Sequence, residues 1–438
     1  MKKKIAASVV IVSMVISLCA GCSGKDEPSA AKDKGKEEIV YWNIGTENPD
    51  KDILKYAVDK FNEKTDSGYH VTSEAIQNDT YKEKLVISMS ADECPDVYVT
   101  WVGGPMKEYI EAGYAQPIQD LMDASPVKDR IIDSAIEQSS YNGELFAFPF
   151  MQLTISGVFY NKEIFEQYNL EVPQTVSQLE QVCDTLVENG ITPFALANAS
   201  KWTGSMYFMS LATRKGGLEP IQKAVDGSGT FEDESFEYAG EKIQEWVKKG
   251  YFPEGVNSLS EDDGQAKQLL YQESAAMFLG GSWNTGTFKS DNEEFYKKIG
   301  WFSFPAVDGS DADASIQIGT SGYFVSFNCE DEKLKAAFEM CEYYYDDDII
   351  EKMVEENKIP PVKNAGELIE DPVVKQILEA ANKASNMQIF YDQYMPPTVA
   401  EVHKDTCQQI FGLAVTPQEA NATLQEAMQT YLKENKEE

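Results

Sequence analysis

The sequence predicts an α/β protein built of two lobes. From Ile39 onward, strand-like apolar runs alternate with amphipathic helical segments, a pattern typical of layers on a largely parallel sheet. About 400 residues follow the N-terminal segments, which is more than one ordinary core accommodates. In such sheets ligands bind beyond the carboxyl ends of the strands, so side chains that follow strands are the candidates for a site.

The first 21 residues predict export. Three lysines precede an apolar run from Ile5 to Cys19, which has the length of a signal peptide and is short for a membrane span. The run ends in Leu18-Cys19-Ala20-Gly21-Cys22, which resembles a bacterial lipobox with cleavage before Cys22 and diacylglycerol on its sulfur. Cys19 stands where the lipobox usually has an aliphatic residue, and an ordinary cleaved signal is the alternative. We expect a lipid anchor in the cell membrane, on its extracellular face.

Residues 22–38 predict a flexible tether. They are charged, contain Pro, Gly, Ser and Ala, and have no hydrophobic periodicity, so they cannot bury a core. The folded body is therefore expected to begin near Ile39. No later stretch approaches the ~20 apolar residues that a membrane helix needs, so we expect the body to be soluble.

The net charge and the number and spacing of the cysteines limit the kinds of partner, metal and cofactor to be expected. With 73 acidic and 38 basic residues the net charge is −35, which repels polyanions and makes nucleic acid an unfavourable partner without naming the ligand. Five cysteines remain beyond the signal, an odd number without CxxC or Cys/His metal spacing. We interpret them mainly as small buried residues, with a disulfide left open, and expect no metal and no cofactor.

The elements are predicted in chain order as follows. Strands are expected near 39–45, 69–76, 96–101, 157–160, 275–279, 299–304 and 322–327, and helices near 52–64, 81–90, 162–168, 177–189, 236–249, 264–273, 333–345, 371–382, 399–411 and 417–433. Lys201, Trp202 and Thr203 are assigned to a loop. Gly280-Gly281 is predicted as a tight turn, with Ser282 as the N-cap of a short helix that carries Trp283.

Several short motifs follow one another in a recognisable order: Trp42 in the opening strand, Pro95-Asp96-Val97-Tyr98, Gly113-Tyr114-Ala115-Gln116-Pro117-Ile118, Tyr141 to Pro149, Tyr160-Asn161-Lys162, Gly190-Ile191-Thr192-Pro193, Gly281-Ser282-Trp283 and Tyr391-Asp392-Gln393. In order and spacing they resemble the family 1 extracellular solute-binding proteins, maltose-binding-protein-like lipoproteins that serve ATP-binding-cassette importers for carbohydrates. The resemblance runs over essentially the whole mature chain.

The resemblance implies a periplasmic-binding-protein-like fold of the class II type, with discontinuous lobes joined by a hinge and the ligand in the cleft. Chain crossings are expected near 150–153, 318–322 and 359–363. The N-lobe would then comprise 39–150 plus 322–362, and the C-lobe 151–321 plus 363–438. The implied function is capture of a carbohydrate and its delivery, by a monomer, to the permease subunits of the importer. The lipoprotein form and the free cysteines favour a Gram-positive surface over a periplasm.

A sugar site needs flat aromatic surfaces for the C–H faces of a pyranose and fixed polar groups for its hydroxyls. Trp246 and Trp301 are predicted to be core. The other tryptophans sit in predicted loops or at strand ends, and several indoles suggest an oligosaccharide; packing beneath a loop is the alternative for each. The candidates, with Trp283 and Asp392 leading on family position, are Trp283, Trp101, Trp202, Trp42, Asn43, Glu47, Gln152, Lys201, Thr320, Ser321 and Asp392.

Two other classes of function remain as alternatives, a secreted carbohydrate-active enzyme and a surface adhesin or regulatory lipoprotein. A glycosidase needs two carboxylates across a cleft, and adjacent acids such as Asp262-Asp263 arise by chance in so acidic a chain. Only His70 and His403 could serve Ser/His catalysis, and no GxSxG, HExxH, P-loop or GxGxxG motif is present. Asp308, Asp311 and Asp313 miss the spacing of a calcium loop. We therefore expect a binding protein and not an enzyme.

Overall fold

The computed structural model describes residues 35–435, and from Glu37 onward they form one compact unit. The predicted signal peptide, the lipidation site Cys22 and most of the predicted tether lie outside the described residues. Within 35–435, none of the helices combines the length and the apolar character needed to cross a membrane.

Strands alternate with helices along the described chain, and the expected α/β class is confirmed. The strands are β1 Glu37–Asn43, β2 Tyr69–Ala75, β3 Val97–Thr100, β4 Ser140–Tyr141, β5 Glu144–Leu145, β6 Phe148–Phe150, β7 Thr154–Asn161, β8 Thr192–Phe194, β9 Ala275–Gly281, β10 Ile299–Phe302, β11 Gln317–Thr320, β12 Tyr323–Phe327 and β13 Met387–Gln388.

The helices are α1 Asp50–Lys64, α2 Asn78–Ser90, α3 Gly104–Glu111, α4 Gln119–Ala124, α5 Asp133–Gln138, α6 Lys162–Gln167, α7 Val176–Glu188, α8 Trp202–Gly216, α9 Glu219–Asp226, α10 Glu234–Lys248, α11 Gln265–Tyr271, α12 Asn284–Asp291, α13 Glu293–Tyr296, α14 Asp331–Glu342, α15 Asp347–Glu355, α16 Ala365–Leu368, α17 Pro372–Lys383, α18 Tyr391–Tyr394, α19 Pro397–Phe411 and α20 Pro417–Glu434. Short 3₁₀ helices occur at Pro126–Arg130, Val256–Ser258 and Tyr343–Tyr345.

Two mixed sheets organise these elements. The first has the strand order β2-β1-β3-β12-β6, and the second has the order β13-β11-β7-β9-β8 with β10 also paired to β7. The prediction of largely parallel sheets holds only for β1 with β2 and β3 and for the pairs β8–β9 and β11–β13. The chain leaves the first sheet after Phe150 and returns at Tyr323, and β12 runs antiparallel to both of its neighbours.

The first strand begins two residues before the predicted start. Glu37 and Glu38 pair with Tyr69 and His70 of β2, although both glutamates are exposed. From Ile39 the strand alternates buried and partly exposed positions, which is the two-residue period of a strand with one face on a core. Because these two residues are charged, the sequence did not indicate that they belong to the strand. Their charge is tolerated because both side chains are exposed at the start of the strand.

Helix α8 corrects the predicted loop at residues 201–203. Lys201 caps the helix in the left-handed region, at φ +65°, and Trp202 is its first residue. Every residue from Thr203 to Arg214 is buried. A helix enclosed on all sides has no polar face, so it lacks the amphipathic period by which its neighbours were predicted.

The core contains the residues that the sequence assigned to it. Trp246 is fully buried and Trp301 is 2% exposed, as predicted. The ring of Trp301 covers Gly157, where a Cβ would approach it to 2.3 Å, so the glycine of β7 is needed for this packing. All five cysteines of the described chain are free; four are buried, and Cys94 is partly exposed.

The buried His403 of helix α19 contacts helix α8. The imidazole is 1% exposed, and its Nε2 lies 2.7 Å from the Ser205 hydroxyl. Burial, with a smaller effect of the Lys404 cation, lowers the pKa of His403 to about 3. The folded protein therefore holds a neutral histidine at pH values where the unfolded chain is protonated.

The His403→Gln variant should be less sensitive to acid. Between the unfolded pKa of about 6.5 and the folded value, only the unfolded state binds the proton, so stability falls as pH falls through this window. From pH 7.5 to pH 5.0 the wild type should lose about 2 kcal/mol more of unfolding free energy than the variant. Urea denaturation at both pH values measures the difference; equal losses would show that His403 does not carry it.

Candidate functional site

A cavity of about 250 Å³ opens between elements of the two sheets. Its lining comes from the loops after β1 and β3, the start of α2 and β12 on one side, and from the start of α8, the segment before α11, the end of β9 and α18 on the other. The volume lies a little below the range of about 300–1,000 Å³ usual for sites of drug-sized ligands. The lining is mixed, with aromatic rings on one part and charged groups on another.

Three aromatic rings form one wall of this cavity. The ring centroids of Trp202 and Trp283 lie 6.2 Å apart with an interplanar angle of 59°, and Phe390 meets Trp283 edge-on at 5.9 Å. The indole Nε1 of Trp202 is buried and has no hydrogen-bond partner among the described residues. Two neighbouring indoles offer extended flat surface together with an available donor.

The end of β9 positions Trp283. The Ser282 hydroxyl accepts a hydrogen bond from the Ile155 amide (3.1 Å) and donates one to the Leu153 carbonyl (3.2 Å), which joins this turn to the start of β7. The predicted tight turn at Gly280-Gly281 is wrong, because both residues belong to β9. Trp283, and not Ser282, is the N-cap of α12. Gly281 is required for a different reason, since a Cβ there would lie 1.9 Å from the Trp283 ring.

A partly buried lysine, Lys82, lies on the other part of the cavity lining. The Lys82 ammonium stands 4.7 Å from the centroid of the Trp101 ring and 3.8 Å from the Asp392 carboxylate. Burial lowers the pKa of Lys82, and the Lys404 cation adds to this effect, while Asp392 and other carboxylates oppose it. Lys82 thus links α2 to α18.

A second group of charges surrounds Glu261. Glu261 and Asp262 both line the cavity, and Lys267 donates to Oε1 of Glu261 at 3.2 Å. The Asp79 amide donates to Asp262 at 3.4 Å, so this group also contacts α2. Burial raises the pKa values of both Glu261 and Asp262, and the nearby Asp79 carboxylate raises them further.

Two threonines lie where the chain crosses between the sheets. The Thr154 hydroxyl donates to Oγ1 of Thr320 at 2.8 Å, and Thr320 donates in turn to the Gly322 carbonyl at 3.0 Å. Both threonines line the cavity and are almost fully buried. This chain of hydroxyls ties β7 to β11 directly beneath the site.

Six of the candidates named from the sequence line the cavity: Trp283, Trp202, Trp101, Asp392, Glu47 and Thr320. Trp42 does not. Its ring is covered by the Lys84 ammonium at 4.1 Å, on the side of the sheet where Lys84 also pairs with Glu74. Trp42 lies inside β1, whereas the residues of this segment that line the cavity come after the strand ends.

Four polar candidates also lie outside the lining. Asn43 is occupied locally, since it donates to Ser73 at 2.7 Å and accepts from the Gly45 amide. Lys201 forms an ion pair with Asp405 at 2.5 Å. Gln152 and Ser321 are 1% exposed and lie in the crossings between the sheets.

Sequence reasoning missed Lys82, Glu261, Phe390 and Tyr323 as lining residues. Lys82 lies in the first turns of a predicted helix, where a lysine is normally solvated. Asp262 was noted only as one member of a chance acidic pair. The acidic segment before α11 carried a weak signal, because three consecutive acidic residues precede a helix that contains Lys267.

A larger cavity of about 380 Å³ lies elsewhere on the molecule. Its lining comes only from segments 126–130 and 339–346, which both belong to the first sheet's side. A ligand there could not contact elements of the second sheet. We therefore take the smaller cavity as the candidate site. Among residues 35–435, no group of three or more His, Cys, Asp and Glu side chains could hold a metal ion.

A family model described as bacterial extracellular solute-binding protein matches residues 45–349, well over half of the chain. The chain belongs to this family. This solute-binding protein is 26% identical over 287 residues to an uncharacterised ABC transporter extracellular-binding protein of Pyrococcus horikoshii, and the match covers 64% of each chain. It thus spans just under two thirds of that relative's length.

Two further comparisons extend the likeness. The solute-binding protein is 25% identical over 338 residues to the melibiose/raffinose/stachyose-binding protein MelE of Bacillus subtilis, covering 75% of this chain and 74% of that one. A solved structure from work on xylan utilisation by Caldanaerobius polysaccharolyticus superposes with a TM-score of 0.81 at 28% identity. That match covers 89% of this chain and 99% of the other, and it confirms the periplasmic-binding-protein-like fold.

The Gly281→Ala variant should disturb Trp283. The added methyl would collide with the indole ring, so the unfolding free energy should fall by about 1–3 kcal/mol and the near-ultraviolet circular dichroism of the Trp202–Trp283 pair should change. Gly366→Ala is the matched control, because its nearest neighbour would be 3.7 Å away in a short helix. The control should be as stable as the wild type or slightly more stable. Equal behaviour of the two variants would contradict the role given to Gly281.

Proposed function

We propose that this solute-binding protein captures a carbohydrate outside the cell and delivers it to an ATP-binding-cassette importer. The observation that carries the proposal is the pairing of Trp202 and Trp283 in a cavity whose other side carries charged and hydroxyl groups. The flat faces of indoles match the C–H faces of sugar rings, and fixed polar groups match their hydroxyls. The named sugar-binding relative supports the same ligand class.

The proposed ligand is an oligosaccharide held mainly at one end. A cavity of about 250 Å³ would enclose only part of an oligosaccharide, while the aromatic wall extends from Trp202 through Trp283 to Phe390. The unpartnered indole N–H of Trp202 can donate to a ring or hydroxyl oxygen. Asp392 and Lys82 supply charge-assisted hydrogen bonds, which are stronger than neutral ones.

Binding is proposed to close two lobes around the sugar. With the lobes drawn at 39–150 plus 322–362 and 151–321 plus 363–438, Lys82 and Trp101 belong to one lobe and Trp283, Glu261 and Asp392 to the other. A ligand that touches both groups stabilises the closed form, because only that form presents them together. The importer's permease subunits would then recognise the closed lobes.

The remaining features of the proposal concern location and chemistry. The sulfur of Cys22 would carry a lipid that holds the protein, as a monomer, on the outer face of the cell membrane of a Gram-positive cell. The protein is proposed to bind and not to catalyse, in keeping with the family to which it belongs. An adhesin or regulatory lipoprotein on the same fold is the alternative, and it would lack sugar binding altogether.

Trp283→Ala should weaken saccharide binding at least tenfold, about 1.4 kcal/mol, because it removes the central ring of the aromatic wall. Trp42→Ala is the matched control, since that indole lies outside the cavity lining. Isothermal titration with the best saccharide from a panel of raffinose, xylotriose and maltotriose measures both variants. An unchanged affinity in Trp283→Ala, or an equal loss in Trp42→Ala, would contradict the proposed site.

A further inference from the structure

Glu261 is an unusual residue for the wall of a sugar site. Its side chain is only 6% exposed and lines the cavity. One carboxylate oxygen, Oε1, accepts from Lys267 at 3.2 Å, whereas Oε2 is buried and has no hydrogen-bond partner among the described residues. A buried acceptor without a partner is unfavourable, and a charged one is more so.

The surroundings compensate only in part for the burial of this carboxylate. Burial raises the pKa of Glu261; Lys267 opposes the shift, but the neighbouring Asp262 and Asp79 carboxylates add to it. The folded protein thus keeps a carboxylate where desolvation and like charges disfavour it. Packing alone would be served as well by glutamine, which is uncharged and nearly the same shape.

The cavity as a whole carries an excess of negative charge. Four carboxylates line it, those of Glu47, Glu261, Asp262 and Asp392, against the two ammonium groups of Lys82 and Lys267. Lys82 already faces Asp392, and Lys267 already faces Glu261. A ligand with its own carboxylate would be repelled by these carboxylates, because the cavity is confined and poorly solvated. The repulsion should lower the affinity for ligands of that class.

We propose that Glu261 determines the ligand specificity of this site: its free carboxylate oxygen accepts a hydrogen bond from a ligand hydroxyl or ammonium group, so the site takes neutral or amino saccharides and rejects sugar acids. The inference rests on the proposed function and names the substrate class within it. A hydroxyl donor satisfies Oε2 when the site is filled, and a charge-assisted hydrogen bond of this kind is stronger than a neutral one.

The test begins with a thermal-shift screen of the wild-type protein. The probes are neutral raffinose, xylotriose and maltotriose, the acidic digalacturonic acid and an aldotriouronic acid, and the cationic deacetylated chitobiose. The largest rise in melting temperature should come from a neutral or cationic probe, because a ligand bound only by the folded state stabilises it. A largest shift from an acidic probe would overturn the inference and leave carbohydrate binding intact, whereas silence from every probe would overturn the proposed function itself.

Glu261→Gln then tests the residue. For the best neutral or cationic probe, affinity by isothermal titration should fall at least tenfold, and the preference for that probe over the matching sugar acid should shrink by a similar factor. The unliganded variant should melt at the wild-type temperature or above it, since a disfavoured carboxylate has been removed. Asp263→Asn is the matched control, because Asp263 is exposed and outside the lining. Wild-type affinity and preference in Glu261→Gln would show that the residue is only structural.

Discussion

The hydroxyl of Ser282 is the contact on which the site depends. By bonding both the amide of Ile155 and the carbonyl of Leu153, it fixes the end of β9 against the place where the chain enters the second sheet. The next residue along is Trp283, so the indole takes its position from backbone that is already paired. Gly281 completes the arrangement, because the absence of a Cβ lets the ring lie directly over β9. A rigid anchor of this kind lets an aromatic surface meet a ligand without first being ordered.

Several charged side chains that line the cavity are partly or fully removed from solvent. Burial lowers the pKa of Lys82 and raises those of Glu261 and Asp262, so the same physical cause disfavours the charged form of each group. Groups in this condition gain from any ligand that replaces the water they have lost. They also make the cavity selective, because a ligand that fails to pair with them leaves them uncompensated.

The sequence predicted most of the fold because most elements have one face on a core. Strand β1 and the helices near 52–64 and 177–189 carry clear periodicities, and the order of short motifs indicated the family. Trp283 and Asp392 could be named because they follow strands or match family positions. Lys82 and Glu261 could not, since their burial depends on segments far apart in the chain. Trp42 was named because it was expected where the first strand ends; it lies inside β1, and Lys84 covers its ring.

The central claim is that a sugar binds between the aromatic wall and the charged groups opposite it. A crystal structure of the protein with the saccharide that stabilises it most would test this most directly. The account predicts a sugar ring stacked on Trp283 or Trp202, with hydroxyl groups within hydrogen-bond distance of Asp392 or Glu261 and contacts to elements of both sheets. A saccharide bound instead in the cavity beside Arg130 and Glu339, or on the outer surface, would contradict it.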